Sequence, residues 1–301
     1  MNNQPLVSII TVTKNLYQSG RETYFRQCVA SVKEQDYSNI EHIIIDGAST
    51  DGTIELFNEL ELGYYSEPDY GIYDAFNKGI RLSKGKYIAF LNSDDLYISK
   101  QAVSLSVKAL EESNADFSYA NYDIIAEDGA FIKHAYSNWK ECFVRQPIGH
   151  PTMFSSRAAL EELNGFNAAY KIAGDFDLVL RSLLAKKCFV EVNTAFVAFR
   201  EGGVSNNRKD YLNIEMQKIL ETNLHLSKDD AQKAINFYFL PQHKILNLLQ
   251  HTDYFPSKNI VFKNNIKRFL RYIRKKIISI RLQKGKRHIF LFGFNLYNEE
   301  K

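Results

Sequence analysis

Residues 87–96, Tyr-Ile-Ala-Phe-Leu-Asn-Ser-Asp-Asp-Leu, run from five apolar side chains straight into two adjacent carboxylates. A short apolar run bounded by polar turn residues reads as a buried strand. Asp94 and Asp95 at its end repel each other unless something positive sits beside them. A divalent cation is one answer, and a solvated turn is the plain alternative. The same grammar recurs upstream, at residues 7–12 (VSIITV) and 41–45 (EHIII). Segments long enough for crossover helices lie between these runs, at 24–33, 53–59 and 72–82. Alternation of this kind predicts an α/β fold with parallel strands at its centre.

In an open α/β sheet, ligands bind beyond the carboxyl ends of the strands. Those ends read Thr13-Lys14-Asn15, then Asp46-Gly47-Ala48-Ser49-Thr50-Asp51-Gly52, then Asn92-Ser93-Asp94-Asp95. Any one of these clusters is most simply a strand-to-helix turn with an Asp or Ser cap. Three of them on one rim predict a site. Further along, 101–112 reads as a helix, and 117–122 with 131–134 as antiparallel strands around the turn signal Asp128-Gly129. A second polar cluster spans 149–181, with helices expected at 157–163 and 176–184 and Gly174-Asp175 at the start of the latter.

Composition sets outer bounds. The chain has 301 residues, 45% hydrophobic and 24% charged, as globular proteins do. Cys28, Cys142 and Cys188 are odd in number and widely spaced, which fits a reducing compartment better than a disulfide scaffold or a zinc site. The opening MNNQPLVSIITVTKN lacks the basic and apolar regions of a leader, and no long uncharged apolar stretch follows. Neither export nor a membrane span is therefore expected, which points to the cytoplasm. Phosphate-loop, nucleophile-elbow, HExxH and GxGxxG patterns do not occur.

The ordered series VSIITVTKN, IIIDGASTDGT, SEPDYGIYDAFNKGI, YIAFLNSDD and IAGDFDLVLR resembles family-2 inverting glycosyltransferases, in particular bacterial exopolysaccharide and colanic-acid-type enzymes. It covers about residues 5–205. The resemblance implies a GT-A nucleotide-diphospho-sugar transferase fold, a Rossmann-like mixed sheet flanked by helices, over residues 1–208. It implies a nucleotide-diphosphate sugar donor near Thr13, Asn15 and Asp46, with Asp46 accepting a hydrogen bond from the base and Lys14 standing where many relatives carry an aromatic residue. Asp95 would hold Mg²⁺ or Mn²⁺ against the diphosphate, with Asn92 at the earlier metal-motif position and Asp94 as ribose or supporting partner. Asp74, Asn77 and Lys78 would lie on the donor side. Asp175 would be the base that takes the proton of the acceptor hydroxyl, preferred over Asp177. Weaker candidates are His150, Arg181 and the segment of Gly202, Gly203 and Ser205. Each has an ordinary structural alternative.

Residues 209–301 read as a mostly helical C-terminal extension with an unusual charge distribution. Between Asp253 and Glu299 there are twelve Lys and Arg and no acidic residue, against 25 basic and 33 acidic residues in positions 1–253. Over 258–283, Phe262, Ile266, Phe269, Ile273, Ile277 and Ile280 recur at three- and four-residue steps, opposite Lys263, Lys267, Arg271, Arg274 and Lys275. This predicts an amphipathic basic helix that rests on the inner face of the cell membrane; packing within the protein is the alternative. An acidic body and the lack of any recognition motif argue against nucleic acid. The expected activity is metal-dependent transfer of a sugar to a hydroxyl of a lipid-linked saccharide acceptor. A non-catalytic nucleotide-sugar or polysaccharide binder and a nucleotidyltransferase are the competing readings.

Overall fold

A computed structural model describes residues 4–137, 148–203 and 209–237, together with 279–283, 286–291 and 294–299. The chain divides into two compact units, Met1–Ile245 and Leu246–Lys301. The first unit therefore takes in helical residues beyond position 208, which the sequence reading had assigned to the extension.

Its foundation is three strands whose side chains are apolar on both faces. β1 (Val7–Thr13) lies parallel to β2 (Ile40–Asp46), with Thr13 opposite Asp46, and parallel to β4 (Tyr87–Phe90), with Ile10 opposite Phe90. Short β3 (Tyr64–Ser66) extends the parallel edge beside β2. Helices α1 (Glu22–Lys33), α2 (Thr53–Glu59) and α3 (Ile72–Leu82) make the crossovers. Residues 7, 9, 10, 44, 88, 89 and 90 are all essentially inaccessible to water, as expected for a parallel sheet covered on both sides. One layer buries Phe25 of α1 against Phe57 of α2, ring centroids 5.4 Å apart. Each such Phe stabilises the fold by about 1.5–3 kcal/mol.

Past β4 the sheet turns mixed. β8 (Phe154–Ser156) runs antiparallel to β4 and to β6 (Phe117–Ile125), and β6 lies parallel to the long β9 (Phe189–Arg200). β5 (Leu96–Tyr97) pairs antiparallel with β9, and β7 (Phe131–Ala135) with β6. The nine-stranded order is β3-β2-β1-β4-β8-β6-β9-β5, with β7 off the path. Helices α4 (Ala102–Ser113), α5 (Arg157–Glu162), α6 (Gly174–Leu184), α7 (Lys209–Leu224) and α8 (Lys228–Phe237) complete the unit.

The second unit contains β10 (Ser279–Gln283), β11 (Lys286–Leu291) and β12 (Phe294–Glu299), an antiparallel meander. The amphipathic helix expected at 258–283 lies outside the described residues up to position 278. At 279–283 the chain is a strand, correcting the helical expectation there. Ile280 stands opposite Ile289, and Ile289 opposite Tyr297.

Candidate active site

The carboxyl ends of β1, β2 and β4 do form one rim. Two loops there are stitched together by short polar side chains. Asn15 sits in the left-handed region at φ 50°, its backbone N–H donates to Ser49 Oγ at 2.7 Å, and its Oδ1 accepts from Thr50 N at 3.0 Å. Asp46 is the hub: it is 0% exposed. Its Oδ1 accepts from the hydroxyls of Thr13, at 3.2 Å, and Ser49, and its Oδ2 from Ser49 N at 2.8 Å and Ser66 Oγ at 2.7 Å. A hydrogen bond from the base to Asp46, as expected, would have to share a carboxylate that already accepts these four bonds. The carboxylate has no surface and is fully engaged in ordering the loops around it, as a buried charge must be.

A different carboxylate faces the neighbouring position. A side chain on Gly47 would collide with Asp69 Oδ2 and crowd the Lys14 stem. The glycine makes room for Asp69, whose other oxygen accepts from Gly71 N at 2.9 Å. Asp69 lies in the quoted SEPDYGIYDAFNKGI, but the sequence reading passed over it in favour of Asp74, Asn77 and Lys78. Those three are largely occupied. Asn77 clasps Phe166 through both its amide atoms, donating to the carbonyl at 2.8 Å and accepting from the N–H at 2.9 Å. Asn77 thereby crosslinks α3 to the segment before α6. Asp74 accepts from Tyr70 N at 3.1 Å, and Lys78 Nζ donates to Pro68 O at 2.6 Å and pairs with Glu67 at 3.0 Å.

The paired carboxylates at the end of β4 are held by two arginines that sequence reading missed. Arg21, just ahead of α1, pairs with Asp94 Oδ2 and also donates to Gly202 O at 3.1 Å. Arg200, the last residue of β9, donates its backbone N–H to Asp95 Oδ1 at 3.0 Å and its Nε to the Asp94 carbonyl at 3.1 Å. Asp95 is 1% exposed, and burial, followed by repulsion from Asp94, pushes its carboxyl well above the ordinary carboxylate range. Asn92 Nδ2 donates to Asp95 Oδ2 at 2.9 Å, while Asn92 Oδ1 is buried with no hydrogen-bond partner among the described residues. An unpaired hard oxygen beside a buried carboxylate is a donor set that suits Mg²⁺ or Mn²⁺. No described cluster unites three or more His, Cys, Asp or Glu side chains as a closed metal site. Any cation there would need its remaining ligands from substrate or water.

Asp175 and Asp177 separate cleanly. Asp177 is 2% exposed and bonds Arg181 Nε at 2.7 Å and Asn223 Nδ2 at 3.1 Å. Arg181 also donates to Leu163 O at 2.6 Å and Gly165 O at 2.8 Å, so this pair is structural. Asp175 is half-buried in the first turn of α6. Its Oδ1 accepts from Phe176 N at 2.8 Å and from Tyr73 Oη at 3.4 Å. Tyr73 stands in the first turn of α3, directly after the Asp69 loop, and links that helix start to Asp175. The Tyr73 ring lies so close to Gly174 that any side chain there would overlap it.

His150 is a core residue. Its ring lies among Phe76, Phe90 and Phe166, at centroid distances of 5.4, 5.4 and 5.5 Å. Burial lowers its pKa to about 4, so it is neutral at pH 7. Of the expected loop, Gly202 and Gly203 are described and Ser205 is not.

The site thus comprises a buried adjacent acid pair just past β4 on the carboxyl rim of a Rossmann-like sheet, and a half-buried acid in the first turn of α6. Residues 8–173 match Glycosyl transferase family 2, and the chain belongs to that family. An uncharacterized glycosyltransferase of Mycobacterium tuberculosis is 29% identical over 216 residues, 69% of this chain and 80% of the relative. The hyaluronan synthase of Pasteurella multocida is 33% identical over 193 residues, 60% of this chain and 19% of the relative. The crystal structure of S. aureus TarS 1–349 in complex with UDP-GlcNAc superposes with a TM-score of 0.61 at 16% identity, covering 98% of this chain and 99% of that one. The fold is accordingly GT-A. Neither the family nor the superposition singles out a colanic-acid-type branch.

Proposed function

We propose that this glycosyltransferase is inverting and metal-dependent, and that it moves a sugar from a nucleotide-diphosphate donor to a hydroxyl of a lipid-linked saccharide during surface polysaccharide synthesis. The observation that carries this reading is the buried Asp94-Asp95 pair just past the end of β4, with Asp175 half-buried in the first turn of α6 as the candidate base. The nucleotide-sugar complex of the structural neighbour and the polysaccharide named for the Pasteurella relative support donor and acceptor class.

In this mechanism Asp175 accepts the proton of the acceptor hydroxyl as its oxygen attacks the anomeric carbon. The new C–O bond forms on the face opposite the breaking one. The departing nucleoside diphosphate keeps the electron pair. Asp95, with Asn92 Oδ1 beside it, would hold Mg²⁺ or Mn²⁺, whose charge offsets that developing on the diphosphate. Arg21, already paired with Asp94, adds positive charge at the same place. Thr13 and Asn15 shape the nucleotide loop through Asp46 and Ser49, and Asp69 with Lys14 meets the nucleotide. Asp74 and Lys78 brace the Asp69 loop.

A thermal-shift panel of UDP-, GDP- and dTDP-sugars, with and without Mn²⁺, tests the reading. One donor should stabilise the protein, more strongly with the ion. No shift with any donor, with or without the ion, would sink it.

A further inference from the structure

The candidate base is positioned by a residue that lies far beyond the family match. Glu215, on α7, is 5% exposed. Its carboxylate accepts three consecutive backbone N–H groups: Lys171 at 2.6 Å, Ile172 at 2.9 Å and Ala173 at 2.9 Å. These are the residues that lead into α6, and the N-cap residue Ala173 offers no side-chain cap of its own. Helix starts leave N–H groups without partners, and a negative charge there is favoured. Here the charge arrives from another helix.

We infer that Glu215 is a positioning residue for Asp175, setting the place of the base without touching substrate. The peptide around Ile172 is gripped from both sides. Its N–H is held by Glu215, and its carbonyl accepts the Tyr73 hydroxyl at 2.6 Å. The same hydroxyl reaches Asp175 Oδ1 at 3.4 Å, and the Tyr73 ring presses on Gly174. Asp175 therefore has little freedom: the residues before it are pinned by Glu215 and its own side chain rests on Tyr73. Asn223, two turns further along α7, ties Asp177 at 3.1 Å. α7 thus holds α6 at two points, and Glu215 controls the one next to the base. Small displacements of a base lower rate far more than they lower donor affinity.

This inference rests on the assignment of Asp175 as base. The test compares Glu215→Ala and Glu215→Gln with Ile219→Ala, which removes a fully buried apolar side chain from the same helix and spares the carboxylate. Glu215→Ala should lower kcat about a hundredfold while donor KM changes less than threefold. Glu215→Gln, which keeps an acceptor oxygen, should recover at least tenfold of that loss. Ile219→Ala should lower Tm yet leave kcat within threefold of wild type at a temperature where it is folded. If Glu215→Ala leaves kcat unchanged, or loses no more kcat than Ile219→Ala at matched Tm loss, the positioning role is wrong. If Asp175→Asn itself retains turnover, the base assignment has failed instead, a result visible without any Glu215 variant.

Discussion

Asp95 and Arg200 meet across 105 residues of chain, the backbone N–H of Arg200 donating to Asp95 Oδ1 at 3.0 Å. Arg200 is 3% exposed, and its guanidinium bridges three parts of the chain. It reaches the Asp94 carbonyl, the carbonyls of Ala126 and Glu127 in the β6–β7 turn and the Gln27 side chain, and it lies 4.1 Å above the Tyr24 ring. Arg200 closes the far side of the site.

Truncating Arg200 should therefore act on stability first. Arg200→Ala takes the side-chain donor from the buried Asp94 carbonyl and removes the bonds to the Glu127 carbonyl and Gln27, and a buried acceptor left without its partner costs about 1–3 kcal/mol. Arg200→Lys keeps the charge but not the planar fork, so it should recover only part of that loss. Urea unfolding measures both. A loss below 1 kcal/mol in Arg200→Ala would show that the network is incidental.

The two acids of α6 should part company when tested. Asp175→Asn is expected to lower kcat about a thousandfold, the scale of a lost general base, with donor KM and Tm nearly unchanged. Asp177→Asn weakens the Arg181 and Asn223 contacts, so it should lower Tm by several degrees and leave kcat within a few-fold. Steady-state kinetics beside thermal unfolding would settle it, and the reverse pattern would move the base to Asp177.

The proposed metal dependence is tested at the Asp95–Asn92 donor set. Chelation should abolish turnover, and Mn²⁺ or Mg²⁺ should restore it in the wild-type enzyme. Asp95→Ala should not respond to either ion, and its donor should no longer give an ion-dependent thermal shift. Full activity after exhaustive chelation would remove the ion from the mechanism.

Much of this fold could be read from local pattern. The runs at 7–12, 41–45 and 87–91 are continuous apolar strands because both their faces are covered, and the intervening helices carry enough apolar residues to cover them. β9 escaped notice because Glu191, Asn193 and Thr194 interrupt its apolar pattern, although its pairing with β6 makes it central. The carboxylates of the site were visible as motifs. Their partners were not, since Arg21, Arg200 and Glu215 are ordinary surface residues in sequence, and contacts 42–181 residues away bury Arg200 and Glu215 and partly cover Arg21. Asp46 shows the converse: the motif located a residue that matters, but its chemistry is spent on the loops. Asp177 differs from Asp175 in its burial and its Arg181 partner, a difference that motif and helix position alone do not carry.

Acid should destabilise the protein through His150. The ordinary pKa of 6.5 falls to about 4 in the folded chain because the ring is buried among Phe76, Phe90 and Phe166. The unfolded chain then binds the proton more readily. The contribution of this group is whole above pH 6.5 and is lost progressively as pH falls toward 4, amounting to about 3 kcal/mol. His150→Phe removes the titration and the buried Nε2 that has no partner. Stability measured from pH 8 to pH 4 should fall less in the variant than in wild type, and equal slopes would contradict the assignment.

The basic C-terminal residues give the last prediction. Twelve Lys and Arg without an acid between Asp253 and Glu299 form a charge run that residues 1–253, net acidic, do not share. Anionic headgroups attract each such residue near the surface by about 1 kcal/mol, an effect screened by salt. The apolar repeat at 262–280 would add burial in the interface. Full-length protein should therefore sediment with vesicles containing anionic lipid and be released as salt rises, and a chain ending at residue 257 should stay in the supernatant. Turnover of a water-soluble acceptor should persist in that shortened chain, because β1–β9 and α7 with Glu215 all lie before the cut. Vesicle binding unchanged by the deletion would place the membrane contact elsewhere, or nowhere, on the protein.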